Sequence, residues 1–249
     1  MEKKKNDFIA QGSILAIASI LVRVMGMIYR IPMTAIIGDK GNGFYSYAYS
    51  VYTILLLLSS YSLPLAVSKM VSAKAQLGQW RNVKRVFICA IAFAIGIGTT
   101  FGLIVLIGAQ FFTRVFFHSE LAAIALRFMA PTILIMALLG VFRGFFQGLQ
   151  NTLPTAVSQI VEGLINAIMS VVFAYFLFDF GHGMDVASGT TDLGYAWGAA
   201  GGAIGTGAGA LAGLIFCFIL FVAYRKILAV NISRDKTGTQ QEYGDIFRL

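Results

Sequence analysis

Apolar stretches long enough to cross a lipid bilayer recur along the whole chain. A helix needs about 20 apolar residues to span the hydrocarbon core. We predict six such spans, at residues 10–37, 44–68, 86–108, 125–148, 154–179 and 193–224. The stretches are continuous rather than alternating, which disfavours a β-barrel. Hydrophobic residues make up 58% of the chain and charged residues only 12%, too few for the surface of a soluble domain. The sequence therefore predicts an all-α integral membrane protein.

Lysines and arginines lie mainly in alternate connecting segments. They precede the first span, cluster between the second and third spans and follow the last one, whereas residues 179–192 contain three aspartates and no lysine or arginine. An excess of positive charge marks cytoplasmic loops. We therefore predict a multi-pass protein with both termini in the cytoplasm, and we interpret residues 229–249 as a cytoplasmic tail. This placement explains the net charge of +8 without a nucleic-acid partner.

Two arginines lie inside the first span. Arg23 and Arg30 are seven residues apart, so in a helix they share one face and are separated by about 10 Å along the axis. Ser19 and Gly26 belong to the same face. Arginine at bilayer depth costs roughly 2.5–3.5 kcal/mol on insertion scales, so it normally faces a bundle interior or a watery cavity. We predict a substrate-binding face here, although Arg30 alone could also reach the outer membrane interface.

Spans 4 and 5 also carry polar residues at helical spacing. In span 5, Gln159, Glu162 and Asn166 share a face, and Arg143 lies near the end of span 4. We predict that all four contribute to substrate binding. A stripe of tyrosines runs along span 2 in the same way, at positions 45, 49 and 52. Hydrogen bonds between helices, worth about 0.6 kcal/mol each, are the alternative interpretation of all these polar faces.

Prolines and glycines predict where the helices bend and where they pack closely. We predict that Pro32 and Pro64 bend or break spans 1 and 2, as in transporter helices that line cavities. In span 6, Gly202, Gly205 and Gly209 lie at the spacing that lets transmembrane helices approach closely. We predict a hinge or packing role for these five residues.

The sequence contains no recognisable catalytic or metal-binding motif. The sequence has no phosphate-binding loop, no HExxH motif and no acidic cluster suited to a metal. We therefore predict a protein that is not an enzyme and that has no metal site and no cofactor. Its energy source is expected to be the membrane potential or an ion gradient.

Three segments carry a resemblance to a known family. "RVMGMIYRIP" in span 1 is similar to the first helix of the multidrug/oligosaccharidyl-lipid/polysaccharide exporter superfamily. "IIGDKGNGFYSYAYSVYTILLLLSSYSLPLAVSKMVS" and "RGFFQGLQNTLPTAVSQIVE" resemble its polysaccharide-biosynthesis branch. Within that branch the chain resembles the group of lipid II flippases and stage V sporulation protein B. Where some members of this group have another cavity arginine in span 2, this chain has "TILLLLSS".

The resemblance implies one six-helix lobe of a two-lobed transporter in a bacterial plasma membrane. Its expected substrate is an undecaprenyl-pyrophosphate-linked oligosaccharide for peptidoglycan, spore or polysaccharide synthesis, moved by alternating access. By the same resemblance, Arg23 and Arg30 face the substrate. The expected partners are membrane lipids and a second lobe, either a C-terminal half or another copy. The alternative is a cation-coupled multidrug exporter of the same superfamily, which calls for acidic cavity residues.

Overall fold

The computed structural model describes residues 2–239 and 241–244, with side chains from residue 12 onward. This part of the chain forms six α-helices and no strand: α1 (Glu2–Ser59), α2 (Leu63–Gln76), α3 (Trp80–Phe117), α4 (Ala122–Gly148), α5 (Leu153–Ser188) and α6 (Leu193–Ser233). Five segments of the described chain are long and apolar enough to cross a membrane. They are Gly12–Gln76, which contains most of α1 and all of α2, and the four helices α3 to α6. The prediction of an all-α membrane protein is confirmed.

Helix α1 is broken at Gly38, and the segment after the break folds back along the segment before it. Gly38 has φ 63° and ψ −178°, a combination that is available almost only to glycine. Met33 before the break and Tyr45 after it both lie beside Gly202 of α6. Helix α1 therefore contains the first predicted span and the start of the second. Pro32, where we predicted a bend or break, lies inside the helix, and the break is at Gly38 instead. A bend at Pro32 stays a prediction.

The second predicted span, 44–68, is not one continuous helix. Residues 60–62 form a turn, and α2 begins at Leu63 with Pro64 in its first turn. Proline fits that position, since the first N–H groups of a helix have no partner within it. The predicted interruption at Pro64 is therefore present.

Helices α3, α5 and α6 are longer than the predicted spans, and α3 covers Trp80–Phe117 where the span 86–108 was predicted. Helix α5 continues to Ser188, so most of the acidic segment 179–192 is helical rather than a loop. The Asp185 carboxylate in this segment accepts hydrogen bonds from the backbone N–H groups of Leu193 (3.0 Å) and Gly194 (2.8 Å) and so caps α6. Helix α6 continues to Ser233, so the tail begins later than the predicted residue 229.

Glycines bring α6 very close to its neighbours. A Cβ atom at Gly205 would overlap the backbone of Ser170 in α5, and one at Gly209 would lie 2.6 Å from the carbonyl oxygen of Glu162. Gly202 faces the Tyr45 ring of α1 instead, at 3.0 Å. All three glycines are therefore packing positions, and their role as a hinge stays a prediction. A similar series on α4 (Gly140, Gly144 and Gly148) packs against α2.

The tail after α6 is attached to the start of α3. The Asp235 carboxylate accepts a hydrogen bond from the Arg81 backbone N–H (3.0 Å) and others from the N–H and hydroxyl of Thr237. These hydrogen bonds, of which the one from Arg81 has the largest effect, lower the pKa of Asp235 to about 2. Further along, the Gln241 N–H donates to the side chain of buried Asn82 (3.0 Å). The rest of the predicted tail, residues 240 and 245–249, lies outside the described residues.

Candidate substrate cavity

A cavity of about 750 Å³ lies between the two segments of α1 and the helices α4, α5 and α6. Its volume is within the range of small-molecule binding sites. Residues from both sides of the Gly38 break contribute to it, so the fold-back of α1 creates this site. The polar and charged residues that line it are Arg23, Tyr29, Arg30, Tyr45, Tyr49, Tyr52, Thr53, Tyr61, Glu162, Asn166 and Thr206.

Arg23 and Arg30, the cavity arginines, both line this space, as their seven-residue spacing predicts. Both side chains are exposed, and neither takes part in an ion pair within the described part of the chain. Gly26 lies between them on the same face, and a Cβ there would meet nothing within 4 Å. Ser19, one turn earlier, is half-buried and does not line the cavity. The two guanidinium groups are therefore available to an anionic ligand.

Tyr45, Tyr49 and Tyr52, the tyrosine row, form the wall contributed by the second segment of α1. The rings of Tyr45 and Tyr49 are stacked with centroids 5.8 Å apart, and Tyr49 and Tyr52 follow at 5.9 Å. The Tyr45 hydroxyl lies 3.2 Å from the hydroxyl oxygen of Thr206 on α6. The wall therefore presents flat apolar ring faces together with neutral hydroxyl groups.

Glu162 of α5 also lines the cavity, but a partly buried ion pair holds its carboxylate. Arg143 of α4 donates a hydrogen bond of 2.7 Å to Glu162 Oε2 and a second one of 2.8 Å to the Ser158 hydroxyl. Ser158 in turn donates to the carbonyl oxygen of Thr155. Glu162 is the only acidic residue among those that line the cavity. The cavity therefore contains two unpaired cations and one carboxylate that Arg143 neutralises.

A second cavity, of about 370 Å³, adjoins the first, and Leu56, Tyr61 and Met136 line both. Arg143 and Gln159 line this second cavity and not the first. The predicted site residues are thus divided. The first cavity brings together Arg23, Gly26, Arg30, Glu162 and Asn166, the second contains Arg143 and Gln159, and Ser19 lies at neither.

Several cavity residues were not among the predicted site residues. The tyrosine row was visible in the sequence as a stripe, but its position opposite the arginines depends on the fold-back at Gly38. Tyr29 lies one residue before Arg30 and reaches the same space, and Thr206 comes from a helix read as a glycine packing face. In the described chain, no three His, Cys, Asp or Glu side chains lie close enough together to hold a metal ion.

Comparison with known proteins agrees with this architecture. A family model described as "Polysaccharide biosynthesis protein" matches residues 8–238. The chain is 26% identical over 240 residues to stage V sporulation protein B of Bacillus subtilis (strain 168), which covers 95% of this chain and 43% of that protein. It is also 26% identical over 200 residues to the lipid II flippase MurJ of the same organism, which covers 77% of this chain and 37% of that protein.

A third similar protein from that organism is an uncharacterized membrane protein, YabM. It is 27% identical over 174 residues, which covers 70% of this chain and 32% of that protein. The chain therefore spans less than half the length of each of these relatives. One of the relatives is named as a flippase, and this agrees with the expectation that the chain is not an enzyme.

Proposed function

Because the chain belongs to the polysaccharide biosynthesis protein family, we propose that it forms one lobe of an exporter of lipid-linked oligosaccharides. In this proposal the substrate is a sugar chain joined to a prenyl lipid by a pyrophosphate. The exporter carries it across the plasma membrane by alternating access, with both termini of this lobe in the cytoplasm. The coupling energy comes from the membrane potential or an ion gradient.

The observation that carries the proposal is the pair of unpaired cavity arginines. A pyrophosphate carries several negative charges, and guanidinium groups bind phosphate oxygens through paired, charge-assisted hydrogen bonds. The two arginines are about 10 Å apart along one helix face, so they can contact a pyrophosphate together or in succession. The one carboxylate that lines the cavity, that of Glu162, is neutralised by Arg143 at 2.7 Å. An anion entering this cavity is therefore attracted rather than repelled.

The tyrosine row supports the assignment of a sugar next to the phosphates. Aromatic rings offer an apolar face with a polar edge, and the C–H-rich faces of sugar rings stack on such surfaces while their hydroxyls bond to polar edges. Tyr45, Tyr49 and Thr206 supply both features within the same cavity as the arginines. A cavity of about 750 Å³ has room for the pyrophosphate and the sugar rings next to it.

The exposure of the cavity arginines supports the need for a second lobe. Arg23 and Arg30 are both exposed, and charge that faces lipid is costly. A facing lobe, either a following half of the protein or another copy, encloses them in our proposal. The chain matches less than half the length of each of these relatives, which agrees with this arrangement.

A cation-coupled multidrug exporter is the alternative function in this superfamily. It requires a free carboxylate for a cation or cationic drug, and Glu162 is the only acidic residue that lines the cavity. Because that carboxylate is already held by Arg143, and because the cavity arginines repel cations, the oligosaccharide exporter is the better-supported function.

Genetic complementation tests the proposal. Variants Arg23→Ala, Arg30→Ala and Arg23→Lys are made in the natural gene and expressed in a bacterium depleted of its own lipid II flippase. We expect both alanine variants to fail while the protein remains in the membrane at normal abundance. Arg23→Lys is expected to restore growth only partly, because an ammonium group keeps the charge but loses the paired geometry.

Arg114→Ala is the matched control, since Arg114 is an exposed arginine of α3 that pairs with Glu120 at 3.6 Å, away from the cavity. This variant is expected to complement as well as the wild-type gene. Full complementation by Arg23→Ala would remove the role of the arginines in substrate binding.

A further inference from the structure

The ion pair between Arg143 and Glu162 has a consequence for which ligands the cavity accepts. Resting on the proposed function, we infer that Arg143 is a specificity-determining residue that acts through Glu162. By holding the only carboxylate among the cavity-lining residues, Arg143 keeps the cavity selective for anions. Arg143 itself does not touch the substrate.

The position of Glu162 is fixed by its neighbours on two sides. On one side, α6 approaches so closely that a Cβ at Gly209 would lie 2.6 Å from the Glu162 carbonyl oxygen. On the other side, the next residue of α5, Gly163, packs against Val22 and Met25 of α1, where a Cβ would lie 3.0 Å from the Met25 side chain. Glu162 is therefore held beside the turn of α1 that carries Arg23.

Arg143 holds the Glu162 carboxylate in a defined direction. The Arg143 side chain is 11% exposed and that of Glu162 is 24% exposed. Arg143 uses two different nitrogens, Nε toward Ser158 and one terminal nitrogen toward Glu162. Because Ser158 is itself bonded to the Thr155 carbonyl oxygen, the guanidinium plane is fixed and the carboxylate is held toward α4. The free charges that remain in the first cavity are those of the two cavity arginines.

Loss of Arg143 would release a negative charge into that cavity. The Glu162 carboxylate would then compete with a bound anion for Arg23 and Arg30, and it would also offer a partner to a cation. At the effective dielectric constant of about 20 that is typical near a protein surface, two unit charges roughly 10 Å apart change a binding constant by about tenfold. Because the two cavity arginines remain, the cavity stays net positive but less so. The expected effect is therefore weaker binding of an anion together with weaker exclusion of a cation, and loss of folding does not produce this pair of changes.

Ligand binding to the purified natural protein in nanodiscs tests this inference with two probes. Inorganic pyrophosphate is the anionic probe and tetraphenylphosphonium is the cationic one. The variants are Arg143→Met, Glu162→Gln and the double variant with both changes. Arg114→Met is the control, because it removes an arginine from an exposed ion pair outside the cavity. Each variant is first checked for monodispersity and for thermal unfolding.

We expect Arg143→Met to bind pyrophosphate about tenfold more weakly than the wild type and to gain binding of tetraphenylphosphonium. Glu162→Gln is expected to bind pyrophosphate more tightly than the wild type, because it removes the one carboxylate that lines the cavity. The double variant is expected to bind pyrophosphate about tenfold more tightly than Arg143→Met, and neither variant is expected to bind the cation. Neither variant carries a carboxylate at position 162, so weaker pyrophosphate binding than in the wild type would overturn the inference even if Arg143→Met does not fold. Arg114→Met is expected to match the wild type with both probes.

Weaker pyrophosphate binding in the double variant would overturn the inference, because it would mean that Arg143 or Glu162 contacts the anion directly. A folded Arg143→Met variant with unchanged preference for both probes would overturn it as well. Failure of the proposed function gives a different result, since the wild-type protein would then not bind pyrophosphate at all. The gain of cation binding in Arg143→Met is measured independently of that result.

Discussion

Replacement of Gly209 by alanine is expected to destabilise the contact between α5 and α6. The new Cβ would lie 2.6 Å from the Glu162 carbonyl oxygen and 2.8 Å from Asn166 Cβ, whereas ordinary contacts are 3.4–4 Å. The helices must therefore separate by roughly 1 Å. Overpacking of this kind costs about 1–3 kcal/mol, and the better helix propensity of alanine offsets up to about 1 kcal/mol. The atoms that the new Cβ would meet are a backbone oxygen and a Cβ, which cannot move aside as the end of a flexible side chain can. The cost therefore lies in the upper part of that range, at about 2–3 kcal/mol, and the net loss is about 1–2 kcal/mol.

Thermal unfolding in detergent, followed by the loss of the monodisperse peak in gel filtration, measures this effect. A loss of about 1–2 kcal/mol lowers the apparent Tm by roughly 2–8 °C for a chain of this size. Gly96→Ala in α3 is the matched control, because a Cβ there would meet nothing within 4 Å. It is expected to leave the Tm unchanged or to raise it slightly. Equal unfolding temperatures for Gly209→Ala and Gly96→Ala would refute the packing argument.

Three further predictions follow from the fold. Gly38→Ala places an alanine at a positive φ, and this strain costs about 1–3 kcal/mol. We therefore expect lower abundance of the variant and loss of complementation. Gly43→Ala, where a Cβ would meet nothing within 4 Å, is the control and should behave as the wild type. Asp235 has a pKa of about 2, below the unfolded value of about 3.9, so its contribution to tail docking is complete above pH 4 and lost as the pH falls toward 2. After correction for intrinsic rates, the hydrogen-exchange rate of the tail amides should thus be constant between pH 5 and 8. Asp235→Asn should raise that rate, and an unchanged rate in this variant would contradict the role of Asp235. Cysteines introduced at the exposed positions Ala187 and Ala73 test the topology. The cysteine at Ala187 should react with a membrane-impermeant thiol reagent added outside, and the one at Ala73 only after permeabilisation. The reverse pattern would invert the predicted topology.

The helical faces could be predicted from the sequence because each depends only on spacing within one helix. Arg23, Gly26 and Arg30 share a face for this reason, and so do Glu162 and Asn166, and the structure brings all five to one cavity. The tyrosine row was visible as a stripe for the same reason. Ser19 shows the limit of this argument, since a shared face does not state where along the helix a cavity ends.

Contacts between helices could not be predicted in the same way. Arg143 and Glu162 are 19 residues apart on two helices, and nothing in their spacing shows that α4 and α5 bring them to 2.7 Å. The fold-back of α1 depends on the positive φ of one glycine within "GDKGNG", a segment whose sequence fits several connections. The lengths of α5 and α6 were underestimated because hydropathy ends at the polar residues whereas the helical backbone continues past them.

A flipping assay in proteoliposomes tests the central claim most directly. The natural protein is reconstituted with a fluorescent sugar lipid linked through pyrophosphate, and the fraction accessible to an external quencher is followed over time. Our account predicts flipping by the wild type and by the Arg114→Ala control, and its loss in Arg23→Ala at the same amount of reconstituted protein. Flipping by Arg23→Ala at the wild-type rate would contradict the claim that the cavity arginines carry the pyrophosphate.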